Sequence, residues 1–274
     1  MNKLSITLIQ STLHWQDVAA NLQMLSEKIS AIKNPTDLIL LPEMFSTGFS
    51  MNVETQAEEM NNSWAIEWMK KTAAEKNCVV TGSLMLRDKK KFFNRLVWMR
   101  PDGSFETYDK RHLFSFAQEE KTFTSGRERL IVELKGWKIC PMICYDLRFP
   151  AWSRNRLVES EAAAAAYDLL IYVANWPERR AQAWKYLLIA RAIENQTYVA
   201  GINRVGNDGN DIYYSGDSMV ADALGNILYH REQSEDITTL QLSMEDLTKV
   251  RRQFRFLKDA DLFNINPKSK FKSH

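Results

Sequence analysis

An apolar run that ends abruptly on a cysteine constrains the fold of this chain more than any other feature. Residues Ile139–Ile143 have the length and composition of a buried strand, and Cys144 follows them directly. Pro150 suits the first turn of a helix, where a missing backbone N–H costs no hydrogen bond. The segment therefore predicts a strand, a sharp turn and a helix, with the Cys144 thiol at the turn.

A cysteine at such a turn suits nucleophilic catalysis of acyl transfer. A helix N-terminus stabilises nearby negative charge, and the backbone N–H of Tyr145 can bind a developing oxyanion. The alternative interpretation is a buried core thiol, because free cysteine is among the most buried residue types. Two charged residues elsewhere in the chain favour the catalytic interpretation.

These charged residues are Glu43 and Lys110. Glu43 follows a short buried strand, Asp37–Leu41, at the position where α/β folds place ligand-facing groups, so it can serve as general base to a thiol. Lys110 follows a short strand and offers a compact cationic donor for an oxyanion and for a thiolate. Taken singly, each residue is explained as well by an ordinary solvated loop side chain.

In this order, the phrases around the glutamate, the lysine and the cysteine resemble the nitrilase, or carbon–nitrogen hydrolase, superfamily. The chain looks most like the ω-amidase branch, which hydrolyses the side-chain amide of 2-oxo acids such as 2-oxoglutaramate. The matching phrases extend to about residue 230 and are Leu41-Pro42-Glu43, Tyr108-Asp109-Lys110-Arg111-His112-Leu113-Phe114, Cys144-Tyr145-Asp146-Leu147-Arg148-Phe149-Pro150, Asn175-Trp176-Pro177, Arg191-Ala192-Ile193-Glu194-Asn195-Gln196 and Ser215-Gly216-Asp217-Ser218.

The resemblance implies a thioester mechanism in which Cys144 is the nucleophile, Glu43 the base and Lys110 an oxyanion donor. Family members carry a second glutamate upstream of a glycine, which here is Gly126. Counting back from this glycine favours Glu119, with the adjacent Glu120 as the alternative. The chain departs from the family at Ser125, where proline is common, and at Ala151, where glutamate is common.

The substrate implied by the resemblance carries a carboxylate, which a bidentate arginine binds best. The candidates are Arg148, Arg179 and Arg180, with Trp176 as an apolar wall. Arg179 is preferred because it begins a helix directly after a strand end. For Arg148 the favoured interpretation is a structural ion pair with Asp146.

Composition excludes several other classes of protein. The formal net charge is +2 over 274 residues, which gives no electrostatic reason to expect nucleic acid. Neither a membrane span nor a signal-peptide pattern is found, and three cysteines cannot all pair, so we expect a cytoplasmic protein. The four scattered histidines predict no metal, and no cofactor is expected. The expected partners are a small-molecule amide and, from the resemblance, a second copy in a homodimer.

Alternating helix and strand patterns with several hairpins predict a mixed α/β fold in one domain over residues 1–274. The resemblance implies a four-layer α/β/β/α sandwich of two mixed sheets, which periodicity alone does not separate from one open sheet. Asp17, Ser63 and Ser243 are predicted helix N-caps. A helix after Pro150 is predicted to run into the alanine-rich segment Glu161–Ala166.

Three alternatives stay open at this point. Another enzyme of the same chemistry is possible: a nitrilase proper, an N-carbamoyl hydrolase or a deaminated-peptide amidase. The second alternative is a Cys–His hydrolase that uses His112 as base. The third is a partner-binding protein in which Cys144 is inert; a catalytic thiol of low pKa would react rapidly with iodoacetamide at pH 7, and a core thiol would not.

Overall fold

The computed structural model describes residues 2–158, 164–261 and 263–265. The strands of the first part are β1 (Lys3–Gln10), β2 (Leu38–Leu40), β3 (Glu58–Glu59), β4 (Val79–Asp88), β5 (Lys91–Met99) and β6 (Phe105–Asp109). Those that follow are β7 (Val132–Leu134), β8 (Trp137–Ile143), β9 (Leu157–Val158), β10 (Ala164–Ala165), β11 (Leu169–Ala174), β12 (Tyr198–Asn203), β13 (Val205–Asn207), β14 (Tyr213–Ala221), β15 (Ile227–Glu232) and β16 (Asp236–Ser243). The α-helices are α1 (Val18–Ser30), α2 (Val53–Gln56), α3 (Trp64–Lys76), α4 (Glu119–Thr122), α5 (Pro150–Ser153), α6 (Ala181–Asn195) and α7 (Met244–Gln253).

The strands form two mixed sheets. The first has the order β16-β1-β2-β4-β5-β6, with β3 beside β4, and its β1, β2 and β4 run parallel. The second has the order β13-β14-β12-β11-β8-β7, with β15 beside β14, and its β8, β11 and β12 run parallel. Antiparallel strands complete both sheets, and β9 and β10 form a small separate hairpin.

The two sheets pack face to face, with helices outside. On β1, Leu4, Ile6 and Leu8 belong to the core shared with the second sheet, whereas Ile9 belongs to the core under α1 and α3. This alternation is the two-residue period of a strand buried on both faces. On the second sheet α6 packs so closely over β12 that a Cβ at Gly201 would lie 2.6 Å from Leu188. The predicted four-layer sandwich of two mixed sheets is therefore confirmed.

All three predicted helix caps are observed. Asp17 accepts the N–H of Ala20 at 2.9 Å, and Ser63 accepts the N–H of Ile66 at 3.1 Å. At the start of α7, the Ser243 hydroxyl likewise accepts a backbone N–H, that of Asp246, at 3.2 Å. Side-chain capping of this kind satisfies backbone donors that a helix start leaves without partners.

The predicted long helix after Pro150 is wrong. The helix that begins there, α5, ends at Ser153, and Ala164–Ala165 lie in a strand; the segment 159–163 lies outside the described residues. The buried side chain of Asn155 explains the difference, because its oxygen accepts the N–H groups of Ala166 and Tyr167 at 3.0 and 3.3 Å. These tertiary contacts outweigh the high helix propensity of alanine, which is worth less than about 1 kcal/mol per residue.

Candidate active site

The cysteine turn has the predicted form, and Cys144 lies at its strained point. The turn Cys144–Arg148 is a 3₁₀ segment between β8 and α5. Cys144 has a φ of 41°, in the left-handed region that residues with a side chain rarely adopt. Strain of this kind persists where surrounding contacts over-determine the backbone, and it is common at functional sites.

The buried carboxylate of Asp146 holds this turn in place by accepting hydrogen bonds. Asp146 accepts the N–H of Ile143 at 3.2 Å, the hydroxyl of Tyr108 at 2.7 Å and the N–H of His112 at 2.9 Å. The ion pair predicted between Asp146 and Arg148 is absent from the described residues, so that expectation is wrong. Asp146 takes these donors because it points back into the protein, whereas the Arg148 guanidinium lies over the Trp176 ring, 4.8 Å from its centroid.

Glu43 lies beyond the end of β2 and is fully buried. Its Oε1 atom accepts from Lys110 Nζ and from Asn94 Nδ2, both at 2.8 Å, and its Oε2 atom accepts the N–H of Asn175 at 2.8 Å. The Cys144 thiol donates to the carbonyl of the same Asn175, with 3.8 Å between sulfur and oxygen. The carboxyl ends of β2, β8 and β11 therefore meet at one point between the sheets.

Lys110 connects the two glutamates. Its Nζ atom lies 2.8 Å from Glu43 Oε1 and 2.8 Å from Glu119 Oε2, and all three side chains are buried. Glu119 also accepts the N–H of Phe114 at 2.6 Å. Glu120, the alternative from the sequence, is exposed. The structure thus brings Glu43, Lys110 and Glu119 together in direct contact, with Cys144 beside them.

Sequence reasoning missed Asn94 entirely and did not single out Asn175. Asn94 Nδ2 donates to Glu43 Oε1 at 2.8 Å and to Glu119 Oε1 at 3.1 Å. The sequence did contain one signal for Asn94, which is an amide side chain within the mostly apolar strand pattern 92–99. A polar side chain buried in such a strand needs hydrogen-bond partners.

Burial and charge set the protonation of this site. Burial alone would lower the pKa of Lys110, but the charges of Glu119 and Glu43 raise it above its ordinary value, so the ammonium is retained. Burial, followed by the charge of Glu43, raises the pKa of Cys144 well above the ordinary value, although Lys110 acts to lower it. The expectation of a low-pKa thiol in the resting site is therefore wrong. Burial and the Glu43 charge thus favour the protonated thiol over the thiolate.

A cavity of about 400 Å³ opens onto these residues. Cys144, Glu43 and Lys110 line it, as do the four residues proposed from the sequence for substrate binding, Tyr145, Trp176, Arg179 and Arg148. Further aromatic and apolar side chains complete the wall, among them Trp15, Phe49, Met51, Phe114, Phe116 and Tyr214. The volume suits a small organic molecule.

Three arginines face this cavity: Arg148, Arg179 and Arg180. Among the described residues none of the three forms an ion pair with a carboxylate. The Arg180 guanidinium stacks on Phe114, 5.1 Å from the ring centroid, and its pKa is lowered by burial and by the neighbouring Arg179. Uncompensated guanidinium groups at a concave surface attract a carboxylate ligand.

The Cys–His alternative finds no geometric support. The Nδ1 atom of His112 lies 2.8 Å from Asp146, and the ring stacks on Phe149 with centroids 3.7 Å apart. His112 contributes nothing to the cavity lining. The carboxylate beside the cysteine is that of Glu43. Its Oε2 atom accepts the N–H of Asn175, and the Cys144 thiol donates to the carbonyl of the same residue.

The described residues contain one group with metal-ligand spacing, Asp217, His230 and Glu232. Lys185 Nζ lies 3.2 Å from Asp217, so this cluster already has a cation beside it. Within the described parts of the chain, none of the helices is both long and apolar enough to cross a membrane.

Comparison with known proteins identifies the family of this chain. A model of the carbon–nitrogen hydrolase family matches residues 5–252. The chain belongs to this family. It is 43% identical to omega-amidase YafV of Yersinia enterocolitica over 96% of this chain and 99% of the relative, and 31% identical to the 2-oxoglutaramate amidase of Bacillus subtilis over 94% and 97%.

A solved carbon–nitrogen hydrolase superfamily protein from Xanthomonas campestris, which carries an arsenic adduct in its active site, superposes with a TM-score of 0.94. The two chains are 43% identical over 97% of this chain and 100% of the other. The resemblance to the superfamily and to its ω-amidase branch, predicted from the sequence, is confirmed.

Proposed function

We propose that this protein is an ω-amidase, which releases ammonia from the side-chain amide of 2-oxo acids such as 2-oxoglutaramate and 2-oxosuccinamate. The observation that carries the proposal is the buried contact among Glu43, Lys110 and Glu119, with Cys144 beside it on the same cavity wall. Full-length similarity to an omega-amidase and to a 2-oxoglutaramate amidase supports the choice of substrate.

Acylation begins when the Cys144 sulfur attacks the amide carbon. Glu43 takes the thiol proton as the carbon–sulfur bond forms, and the carbonyl oxygen becomes an oxyanion. Lys110 Nζ contacts one oxygen of Glu43 and both oxygens of Glu119. A single N–H can serve the two Glu119 oxygens, which leaves a third N–H to hold this oxyanion with the backbone N–H of Tyr145. Collapse breaks the carbon–nitrogen bond, and protonated Glu43 gives its proton to the departing ammonia.

Deacylation repeats the proton transfer with water. Glu43 takes a proton from water as the oxygen attacks the thioester, and the oxyanion is held by the same donors. The carbon–sulfur bond then breaks, the sulfur recovers a proton from Glu43, and the 2-oxo dicarboxylic acid leaves. Glu119 does not line the cavity; its role is to hold the Lys110 ammonium in place.

A panel of amides tests the substrate. We expect fast ammonia release from 2-oxoglutaramate and 2-oxosuccinamate, and values of kcat/KM at least 100-fold lower for glutamine and asparagine, because the arginines repel an α-ammonium group. A simple nitrile and an N-carbamoyl amino acid complete the panel. If either of these two were the better substrate, the ω-amidase assignment would fall in favour of a nitrilase or a carbamoyl hydrolase.

The arginines at the cavity are proposed to bind the substrate carboxylate. Replacing Arg179 or Arg180 with leucine should raise KM for 2-oxoglutaramate by tenfold or more, since a charge-assisted hydrogen bond is lost. Hydrolysis of a neutral aliphatic amide should change little. Steady-state kinetics with both amides is the test. Equal losses of kcat/KM for the two substrates would exclude a carboxylate clamp and indicate damage to the cavity instead.

We also propose a cytoplasmic homodimer. All three cysteines are free, which fits a reducing compartment. Several apolar side chains on α6 and β15 are about half exposed, among them Ile193, Ile227 and Leu228. Such a surface suits a second copy of the chain. Sedimentation of the purified protein as a monomer at micromolar concentration would exclude the dimer.

A further inference from the structure

We propose that Asn94 is a positioning residue that keeps Glu43 and Glu119 ionised at the same time and thereby sets the acid limb of the enzyme's pH profile. The inference rests on the proposed role of Glu43 as the base. It is carried by the contacts of one side-chain amide in the middle of β5.

The amide bridges the two carboxylates. Asn94 is fully buried, and its Nδ2 atom lies 2.8 Å from Glu43 Oε1 and 3.1 Å from Glu119 Oε1. Lys110 Nζ lies at 2.8 and 3.1 Å from the same two oxygens. Two donors, one charged and one neutral, therefore hold the same pair of carboxylate oxygens together.

The sheet fixes both donors relative to each other. The backbone N–H of Lys110 donates to the carbonyl of Asn94 at 3.0 Å, so the lysine directly continues the pairing of β5 with β6. The Asn94 Oδ1 atom is buried and has no partner among the described residues. The amide orientation thus depends on the two contacts that its nitrogen donates.

The site needs a neutral donor because its charges do not balance. The carboxylates of Glu43 and Glu119 contact a single ammonium group, that of Lys110, so the buried cluster has one excess negative charge. Burial raises the pKa of Glu119, and the charge of Glu43 adds to this increase, although Lys110 opposes it. A second cation would remove the excess charge but would also weaken Glu43 as a base. An amide stabilises both carboxylates and leaves the charge unchanged.

Removing the amide should let the pair of glutamates bind a proton at higher pH. The pKa of Glu119 is already raised by burial, and a proton on Glu119 lies within the same set of donors that holds Glu43. A proton held by the pair prevents Glu43 from accepting the Cys144 proton. Loss of a hydrogen bond to a charged group is worth about one pH unit, and the acid limb of kcat/KM should move upward by about that amount.

The test compares pH profiles of full-length variants. Asn94→Leu keeps the branched shape of the side chain without its donor, and Asn94→Ala serves if the larger leucine prevents folding. Asn155→Leu is the matched control, because Asn155 is equally buried but donates to the carbonyls of Tyr167 and Asn195. We expect an upward shift of the acid limb in the Asn94 variants alone, at whatever thermal stability each variant has.

A substrate-independent readout separates this inference from the proposed function. The rate at which iodoacetamide alkylates Cys144 depends on the same base, so its acid limb should shift upward together with that of hydrolysis. If 2-oxoglutaramate were not hydrolysed but the alkylation limb shifted, the substrate assignment would fail and the role of Asn94 would stand. If the acid limb of the alkylation rate lay at the same pH in both Asn94 variants as in the wild type, the inference would be overturned.

Discussion

Replacing Glu43 with glutamine should lower kcat for ammonia release by about 10⁴-fold, the upper range for a general acid–base group, because one carboxylate moves the proton in both half-reactions. Three donors surround this carboxylate: Lys110, Asn94 and the N–H of Asn175. A glutamine amide group must face one of these donors with its own N–H, so the variant should also unfold at a lower temperature.

The control for this variant is Glu120→Gln, which removes an exposed carboxylate from the chain and should leave kcat unchanged. Circular dichroism establishes that both proteins are folded, and an ammonia assay gives the two rates. A Glu43→Gln variant with a kcat within tenfold of the wild type would exclude Glu43 as the base.

Replacing Lys110 with alanine should slow turnover by several hundred-fold or more. An oxyanion donor in a water-excluded site contributes about 3–4 kcal/mol to the transition state. The substitution also leaves Glu43 and Glu119 buried without their common cation, so that one of them will take up a proton near neutral pH. We therefore expect a second effect, an acid limb of kcat/KM at clearly higher pH than in the wild type.

Lys121→Ala is the matched control for Lys110→Ala, because Lys121 is exposed and forms no ion pair among the described residues. Single-turnover measurements with 2-oxoglutaramate separate loss of chemistry from slow product release. If Lys110→Ala retained more than a tenth of the wild-type rate, the lysine would be a structural cation and not an oxyanion donor.

Short local patterns allowed much of this fold to be predicted from sequence. Helix starts could be read because a single side chain, such as Asp17 or Ser63, caps its own helix. The turn at Cys144 could be read because Pro150 and the apolar run of β8 both act locally. The juxtaposition of Glu43, Lys110 and Cys144 depended on the resemblance to the family, since nothing local relates residues so far apart.

The errors all arose from long-range contacts. Ala164 and Ala165 lie in a strand and not in the predicted helix because Asn155 binds the backbone of Ala166 and Tyr167. Arg148 does not pair with Asp146, although the two residues are neighbours in sequence, because Tyr108 and other groups from distant strands occupy that carboxylate.

The charge state of the nucleophile also depended on tertiary structure. The family resemblance implies that Lys110 accompanies Cys144, and a lysine alone would favour the thiolate. Only the packed structure shows that burial and the charge of Glu43 outweigh it, so that the pKa of the thiol rises. Asn94 was missed for the same reason, because its partners lie on other segments of the chain.

Covalent trapping tests the nucleophile most directly. The enzyme is mixed with 2-oxoglutaramate, quenched in acid within milliseconds and digested, and the peptide that contains Cys144 is measured by mass spectrometry. A thioester intermediate predicts one added 2-oxo-dicarboxylate acyl group on that sulfur, absent from Cys144→Ala, which should release no ammonia. Undiminished ammonia release by Cys144→Ala, or an acyl group on a different residue, would contradict the mechanism.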